Sequence, residues 1–153
     1  MNTRLVNRWV LAGLLAVAAS VLQAGEEEDL IATLRSAAGA PQKCAACQRL
    51  RVVGTAKSVA ALAVLLREEP TAHAARYALE GLGGSSAAAQ LREMLGRTEG
   101  RQQIGVVISL GRLADPEAAA PIAALLSTEN VELCEVAVIA LGRIGTVPAA
   151  ETL

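Results

Sequence analysis

Apolar residues recur along this chain at a fixed long period. Laid in register, RLRVVGTAKSVAALAVLL begins at Arg49, ALEGLGGSSAAAQLREML at Ala78, SLGRLADPEAAAPIAALL at Ser109 and ALGRIGTVPAAETL at Ala140, at spacings of 29, 31 and 31 residues. The second place is always leucine (Leu50, Leu79, Leu110, Leu141), the fifth is Val53, Leu82, Leu113 and Ile144, and the fourteenth is Leu62, Leu91, Ile122 and Leu153. Repetition at this period is the signature of a solenoid.

Within one unit the spacing predicts two helices. Leu110 and Leu113, then Ile122, Leu125 and Leu126, step by three and four, giving an amphipathic stripe on each side of a break. At the break, Gly54, Gly83 and Gly145 stand where a helix would end with positive φ, and Ala114 is the exception. Asp115-Pro116-Glu117 then reads as an N-cap, a first-turn proline and an acid favoured by the positive helix end, with Thr55 and Thr146 in the capping place of their own units. A helical hairpin cannot bury its apolar faces alone. The pattern therefore predicts an all-α superhelix of antiparallel helix pairs, about eight helices in all, in which neighbours complete the core. Upstream, EEEDLIATLRSAA from Glu26 predicts a leading helix that caps the stack, with Leu30, Ile31, Leu34 and Ala38 on one side.

Composition narrows the core. Apolar residues make up 53% of the 153 and aromatics 1%, with no Phe, so the interior must be built from Ala, Leu, Val and Ile in closely approaching helices. SLGRLADPEAAAPIAALL and ALGRIGT, with Ala-rich stretches leading into each first helix, resemble HEAT-like repeats of the short bacterial type also found in phycobilisome lyases, over roughly Pro41 to Leu153. ACQRLRVVGT, ARYALEGL and SLGRLADPEA in that order are also similar to the start of long secreted bacterial HEAT-repeat proteins. The units are shorter than the usual HEAT repeat, and the Asp of the turn occurs only at Asp115. The resemblance implies architecture and brings no catalytic residue with it.

The first stretch departs from the repeat. Arg4 and Arg8 precede an uncharged run from Trp9 to Leu22, fourteen residues that end in small and polar ones, the pattern of a secretory signal. A membrane span needs about 20 apolar residues, so spanning is the weaker reading. Cleavage after Ala24 fits the switch to Glu26, Glu27, Glu28 and Asp29, and a cut after Ser20 is the alternative. The chain thus divides into a signal peptide (1–24), a capping helix (25–40) and three and a half HEAT-like units (41–153), and the product is expected to be exported to the periplasm or medium. Without the signal, twelve basic residues face fifteen acidic ones, a net charge of about −3. Scattered basic residues and one remaining ring give no counterion-displacing stripe, which argues against a nucleic-acid partner.

Candidate chemistry is sparse. Cys44 and Cys47 in KCAACQ have the spacing of redox dithiols, zinc sites and c-type haem attachment. Gln48 stands where haem attachment needs His, and zinc would need two further ligands, with His73 in register with Cys44 but Cys134 out of reach. A dithiol on one helix face remains as one reading, and two small buried residues as the other. His73 is the only histidine, so a nucleophilic triad would have to use it. Gly81, Gly83 and Gly84 follow a helix and precede no lysine, so they form a turn rather than a phosphate loop. Arg112 and Arg143 share a register, either as a short ladder or as solvated helix ends. No cofactor, metal or catalytic group is expected.

Two function classes stand. One is a scaffold whose second helices line a concave face through Lys57, Ala61, Val64, Gln90, Glu93, Pro121 and Ala124, suited by its mild charge to a protein or peptide partner. The other is the targeting arm of an exported enzyme or electron-transfer protein whose active module lies beyond residue 153. At the far end, Ile139, Leu141 and Ile144 are expected to face a further unit. The chain then reads as the N-terminal part of a longer polypeptide, or else self-associates through that end.

Overall fold

The computed structural model describes residues 23–145. Most of the expected signal segment, and the last half-unit with Thr146 and Leu153, lie outside the described residues. Among those described there are eight α-helices and no strand. These are α1 (residues 23–35), α2 (Ala40–Val53), α3 (Val59–Leu65), α4 (Glu69–Leu82), α5 (Gly84–Leu95), α6 (Gly100–Arg112), α7 (Ala119–Ala123) and α8 (Val131–Ile144).

The register translates directly into burial. Leu50, Leu79, Leu110 and Leu141 are fully buried, as are Leu62, Leu91 and Ile122. Two further rows, Ser58/Ala87/Ala118 and Val59/Ala88/Ala119, are buried on the inner side of the second helices. The helices form two layers: α2, α4, α6 and α8 pack in succession, and α3, α5 and α7 lie across them. Burial of each large aliphatic side chain stabilises by about 1.5–3 kcal/mol, and in a stack that gain comes from neighbouring units. With almost no rings between them, the first-layer helices approach closely. A Cβ added at Gly111 would lie 2.8 Å from the Cα of Ala140 on α8.

The turns follow the sequence at some positions and depart from it at others. Gly83 (φ 64°) and Gly145 (φ 64°) end α4 and α8 with positive φ, as expected. Ala114 also has positive φ (50°) although it carries a Cβ. Ala114→Gly is therefore expected to raise stability by about 0.5–1 kcal/mol, measured as a shift of the urea midpoint at unchanged slope. Gly54 does not follow the expectation. Its φ is −71°, and it is required for space instead, since a Cβ there would run into the Leu50 carbonyl oxygen of α2 and lie 3.0 Å from Leu82 Cδ2.

Asp115 also departs from its expected role. Its side chain does not cap its own helix. The carboxylate accepts from Arg92 Nη1 of α5 at 2.6 Å, while Arg92 Nη2 reaches Glu117 at 2.6 Å, so one guanidinium ties the second unit to the turn of the third. α7 is only five residues, flanked by 3-10 turns Pro116–Ala118 and Ala124–Ser127, and its first turn holds Pro121. This proline has no N–H to donate and crowds the preceding turn.

At the start, α1 places Ile31 and Leu34 in the core, while Ala38 lies past its end. Glu27 is also buried on this helix, one turn before Ile31. Its carboxylate accepts from Thr55 N (2.7 Å), Thr55 Oγ1 (3.0 Å) and Ser58 Oγ (2.6 Å), so α1 caps the entry to α3 through a side chain from outside that helix. Thr55 adds a weaker cap of its own, accepting from Lys57 N at 3.3 Å. Burial pushes the Glu27 carboxyl up, but the hydrogen bonds from Ser58 and Thr55 and the Lys57 charge outweigh it and hold it below its usual range. Next to it, Glu26 pairs with the Arg49 guanidinium on α2.

Candidate functional site

The second-helix residues read from sequence as a partner face are placed unevenly by the fold. Val64, Glu93 and Ala124 share one register position on α3, on α5 and just past α7, and all three are exposed, Val64 at 65%. Between α3 and α5 runs a groove of about 300 Å³ lined by Ala60, Val64, Arg67, Gln90 and Glu93. Its lining carries one cation, Arg67, and one anion, Glu93, which Arg97 also meets at 2.9 Å. Pro121 is exposed at the register position of Gln90.

Ala61 must be removed from the face. It is 5% exposed and belongs to the core. Its register position lies on the boundary between core and solvent, where Gln90 reaches out with an amide but a single methyl is covered. Lys57 is exposed but stands on the turn before α3, beside Glu28, Ala32 and Arg35 of α1, away from the groove.

Cys44 and Cys47 lie on one face of α2 as free thiols. Cys47 is fully buried in the core. Burial, with Cys44 adding to it, pushes its thiol up to about 12. Cys44 is half-buried and donates weakly to the Pro70 carbonyl at 3.5 Å. A thiol at that pKa is almost never a thiolate, so it is no nucleophile at neutral pH. Alkylation of the folded chain at pH 8 is expected to modify Cys44 and leave Cys47 untouched until denaturant is added, as read by peptide mass spectrometry. Among the described residues, no group of three or more His, Cys, Asp or Glu side chains is gathered so as to hold a metal ion. No described helix is long and apolar enough to cross a membrane.

His73 stacks parallel to Tyr77 at 6.4 Å, and Arg51 lies over the Tyr77 ring at 4.0 Å. Arg112 makes no ladder with Arg143. It crosses to Glu80 of α4 at 2.9 Å, and Ser109 Oγ donates to the same carboxylate at 2.5 Å. Gly83 alone joins α4 to α5 and Gly84 opens α5 with positive φ, whereas Gly81, expected in the turn, lies inside α4.

The far end differs in detail from the sequence reading. Leu141 and Ile144 are buried within the stack. The exposed apolar residues of α8 are Val131 (70%), Val138 (41%) and Ile139 (54%), which line an open, mostly apolar hollow of about 490 Å³ with Cys134 and Glu135. In register, Val138, Ile139 and Gly142 correspond to Val107, Ile108 and Gly111 of α6. Val107 and Gly111 are buried, Ile108 partly so, and Gly111 takes the close approach of Ala140, whereas nothing lies within 4 Å of a Cβ at Gly142.

Two sites escape a reading of the sequence alone, although each leaves a trace there. Glu27 precedes Ile31 and Leu34 by four and seven, so an acid lies on the apolar stripe of α1. Arg76 occupies the register place of Cys47 and Val107, so a cation stands in a core row.

Residues 102–128, which take in most of α6 and all of α7, match the family model described as PBS lyase HEAT-like repeat. No curated protein matches the chain. The layers, the helix-turn-helix units and the matched segment agree: the described chain is an all-α HEAT-like superhelix, with a PBS lyase HEAT-like repeat at residues 102–128.

Proposed function

We propose that this chain is an exported HEAT-repeat scaffold that holds a protein or peptide partner along its second-helix layer. HEAT-like repeats commonly serve protein–protein interaction, and stacked units present one exposed row per register position. The observation that carries the reading is the row Val64, Glu93 and Ala124, exposed at the same place in three successive units and continuous with the groove holding Gln90. Its balanced charge and open aliphatic surface fit a polypeptide better than a polyanion. A photo-crosslinking residue placed at Ala124 in the native host is expected to trap a discrete adduct that Val64→Asp abolishes. The same residue at Gln48, exposed on α2, is expected to trap none. Equal trapping at Gln48 would count against the row as the binding face.

Export is part of this proposal. The signal-like segment 1–24 is removed, the remainder dividing into a capping helix and HEAT-like units. A cut after Ala24 leaves Glu26 and Glu27, which hold Arg49 and the Thr55–Ser58 turn, in the mature chain. Fractionation in a Gram-negative host is expected to find the product in the periplasm or medium, shortened by about 20 to 25 residues. A full-length product in the cytoplasm would overturn it.

The proposal also makes the chain the N-terminal part of a longer polypeptide, with α8 receiving the first helix of a further repeat. Val138, Ile139 and Gly142 repeat the surface by which α6 receives α8. Three aliphatic side chains and a cysteine cover far less than the ~800 Å² per partner of a standard bimolecular interface. A covalently continuous repeat needs no such area, because it has no association entropy to offset.

A further inference from the structure

Arg76 is a half-buried cation in a row that Cys47 and Val107 fill with fully buried uncharged groups. Its Nη1 donates to the Gly105 carbonyl at 2.9 Å, and its Nη2 lies 2.8 Å from His73 Nδ1. Since a guanidinium only donates, Nδ1 accepts, which leaves the imidazole proton on Nε2. Room for the guanidinium exists because residue 105 is glycine: a Cβ there would lie 2.5 Å from Nη1. Among the described residues Arg76 makes no ion pair within 4.0 Å. The nearby carboxylate of Glu80 is occupied by Arg112 and Ser109. Burial holds the Arg76 guanidinium below its usual range, Glu80 opposing and Arg112 adding to the effect. A half-buried charge without a counterion is costly, and an anion beside it would relieve that cost.

Arg76 opens onto a cleft of about 210 Å³ between the first turns of α4 and α6. His73 and Arg76 line it from α4, Arg101 and Gln102 from α6, over an apolar floor that includes Leu66 and Val106. The N-cap of α6, Glu99, makes no side-chain capping bond, and the first turn of α6 carries no acid. One acid, Glu69, lies on the wall, exposed in the first turn of α4.

We propose that this cleft binds a carboxylate group, held by Arg76 and Arg101 with Gln102 and the His73 N–H as further donors. The cleft opens to solvent, and its volume admits a carboxylate on a short stem. Two guanidinium groups and one carboxylate leave a net charge of one, which matches a monoanion and not a phosphate dianion. The site is independent of the second-helix row, since it opens between first-layer helices.

Titration of the full chain, followed through the side-chain N–H resonances of Arg76 and Arg101, tests this. The probes are acetate, a short peptide with a free C-terminal carboxylate and its amidated counterpart, all at constant ionic strength. Acetate and the free-acid peptide are expected to give saturable shifts, and the amidated peptide none. A peptide that binds tighter than acetate identifies a polypeptide carboxylate as the ligand; equal affinity identifies free small carboxylates. Arg101→Ala, at an exposed position, is expected to weaken binding about fivefold, and Glu69→Gln to tighten it. Arg143→Ala, at an exposed position on α8 outside the lining of the cleft, is expected to leave it unchanged. Absence of saturation at millimolar probe, equal shifts from the amidated peptide, stronger binding of methyl phosphate, or an Arg101→Ala chain that binds as the parent does would each overturn the proposal.

Discussion

Glu27→Ala is expected to cost about 3 kcal/mol of stability, more than any surface substitution in the chain. The carboxylate satisfies the backbone N–H of Thr55, the Thr55 hydroxyl and the fully buried Ser58 hydroxyl, so its removal leaves donors without partners at the entry to α3. Each buried polar group so orphaned costs about 1–3 kcal/mol. The damage should begin at the α1–α3 end, since repeat stability is a sum of unit and interface terms. Hydrogen exchange is expected to accelerate first in residues 23–66, and a variant that exchanges as the parent does would show that α1 contributes little. Glu27→Gln keeps the shape but loses the charge, with an expected cost of about 1–2 kcal/mol. The pH dependence follows from the sign of the shift. Glu27 is held below its usual value in the folded chain, so its contribution is complete above the unfolded carboxyl pKa and is lost as pH falls through the folded one. In Glu27→Gln the stability difference from the parent is expected to vanish at acid pH and to be full at neutral pH. By contrast the exposed pair between Glu26, also on α1, and Arg49 of α2 should contribute little.

Gly111→Ala and Gly142→Ala occupy one register position and are expected to act in opposite directions. At Gly111 the new Cβ meets the Cα and Cβ of Ala140 at 2.8 Å, and neither atom can rotate away, so α8 must shift at a cost of about 1–3 kcal/mol. At Gly142 nothing lies within 4 Å, so alanine acts through helix propensity and stabilises by about 0.5–1 kcal/mol. Chemical denaturation of the two variants checks the pair. The same experiment bears on the proposed continuation of the stack. With one further repeat appended after residue 153, Gly142→Ala should become destabilising, because its Cβ would then meet the incoming helix as Gly111 meets Ala140. A Gly142→Ala effect that stays favourable in the extended chain would mean that α8 does not receive a first helix in that way.

Much of the architecture was legible before any coordinate, and the reason is periodicity. A repeat forces one residue into one environment several times over, so Leu50, Leu79, Leu110 and Leu141 announce a common buried row that a single helix could not. The turns were legible where one residue sets the backbone, as at Gly83 and Gly145. They were not where packing decides: a Cβ at Gly54 would meet both the Leu50 carbonyl and Leu82, and Asp115 serves Arg92 of a neighbouring helix rather than its own.

The sequence by itself determined the helix-turn-helix period, the aliphatic core and the row that faces out of the second layer, because these depend on side-chain type at a fixed spacing. Tertiary structure alone decided that Ala61 is covered while Gln90 is not, that Glu27 caps a helix twenty-eight residues away from it at Thr55, and that Arg76 and Arg101 line one cleft. Those outcomes depend on which side chain from a neighbouring helix reaches a given polar atom first. That is a matter of distance between helices, and the period of a sequence carries no record of it.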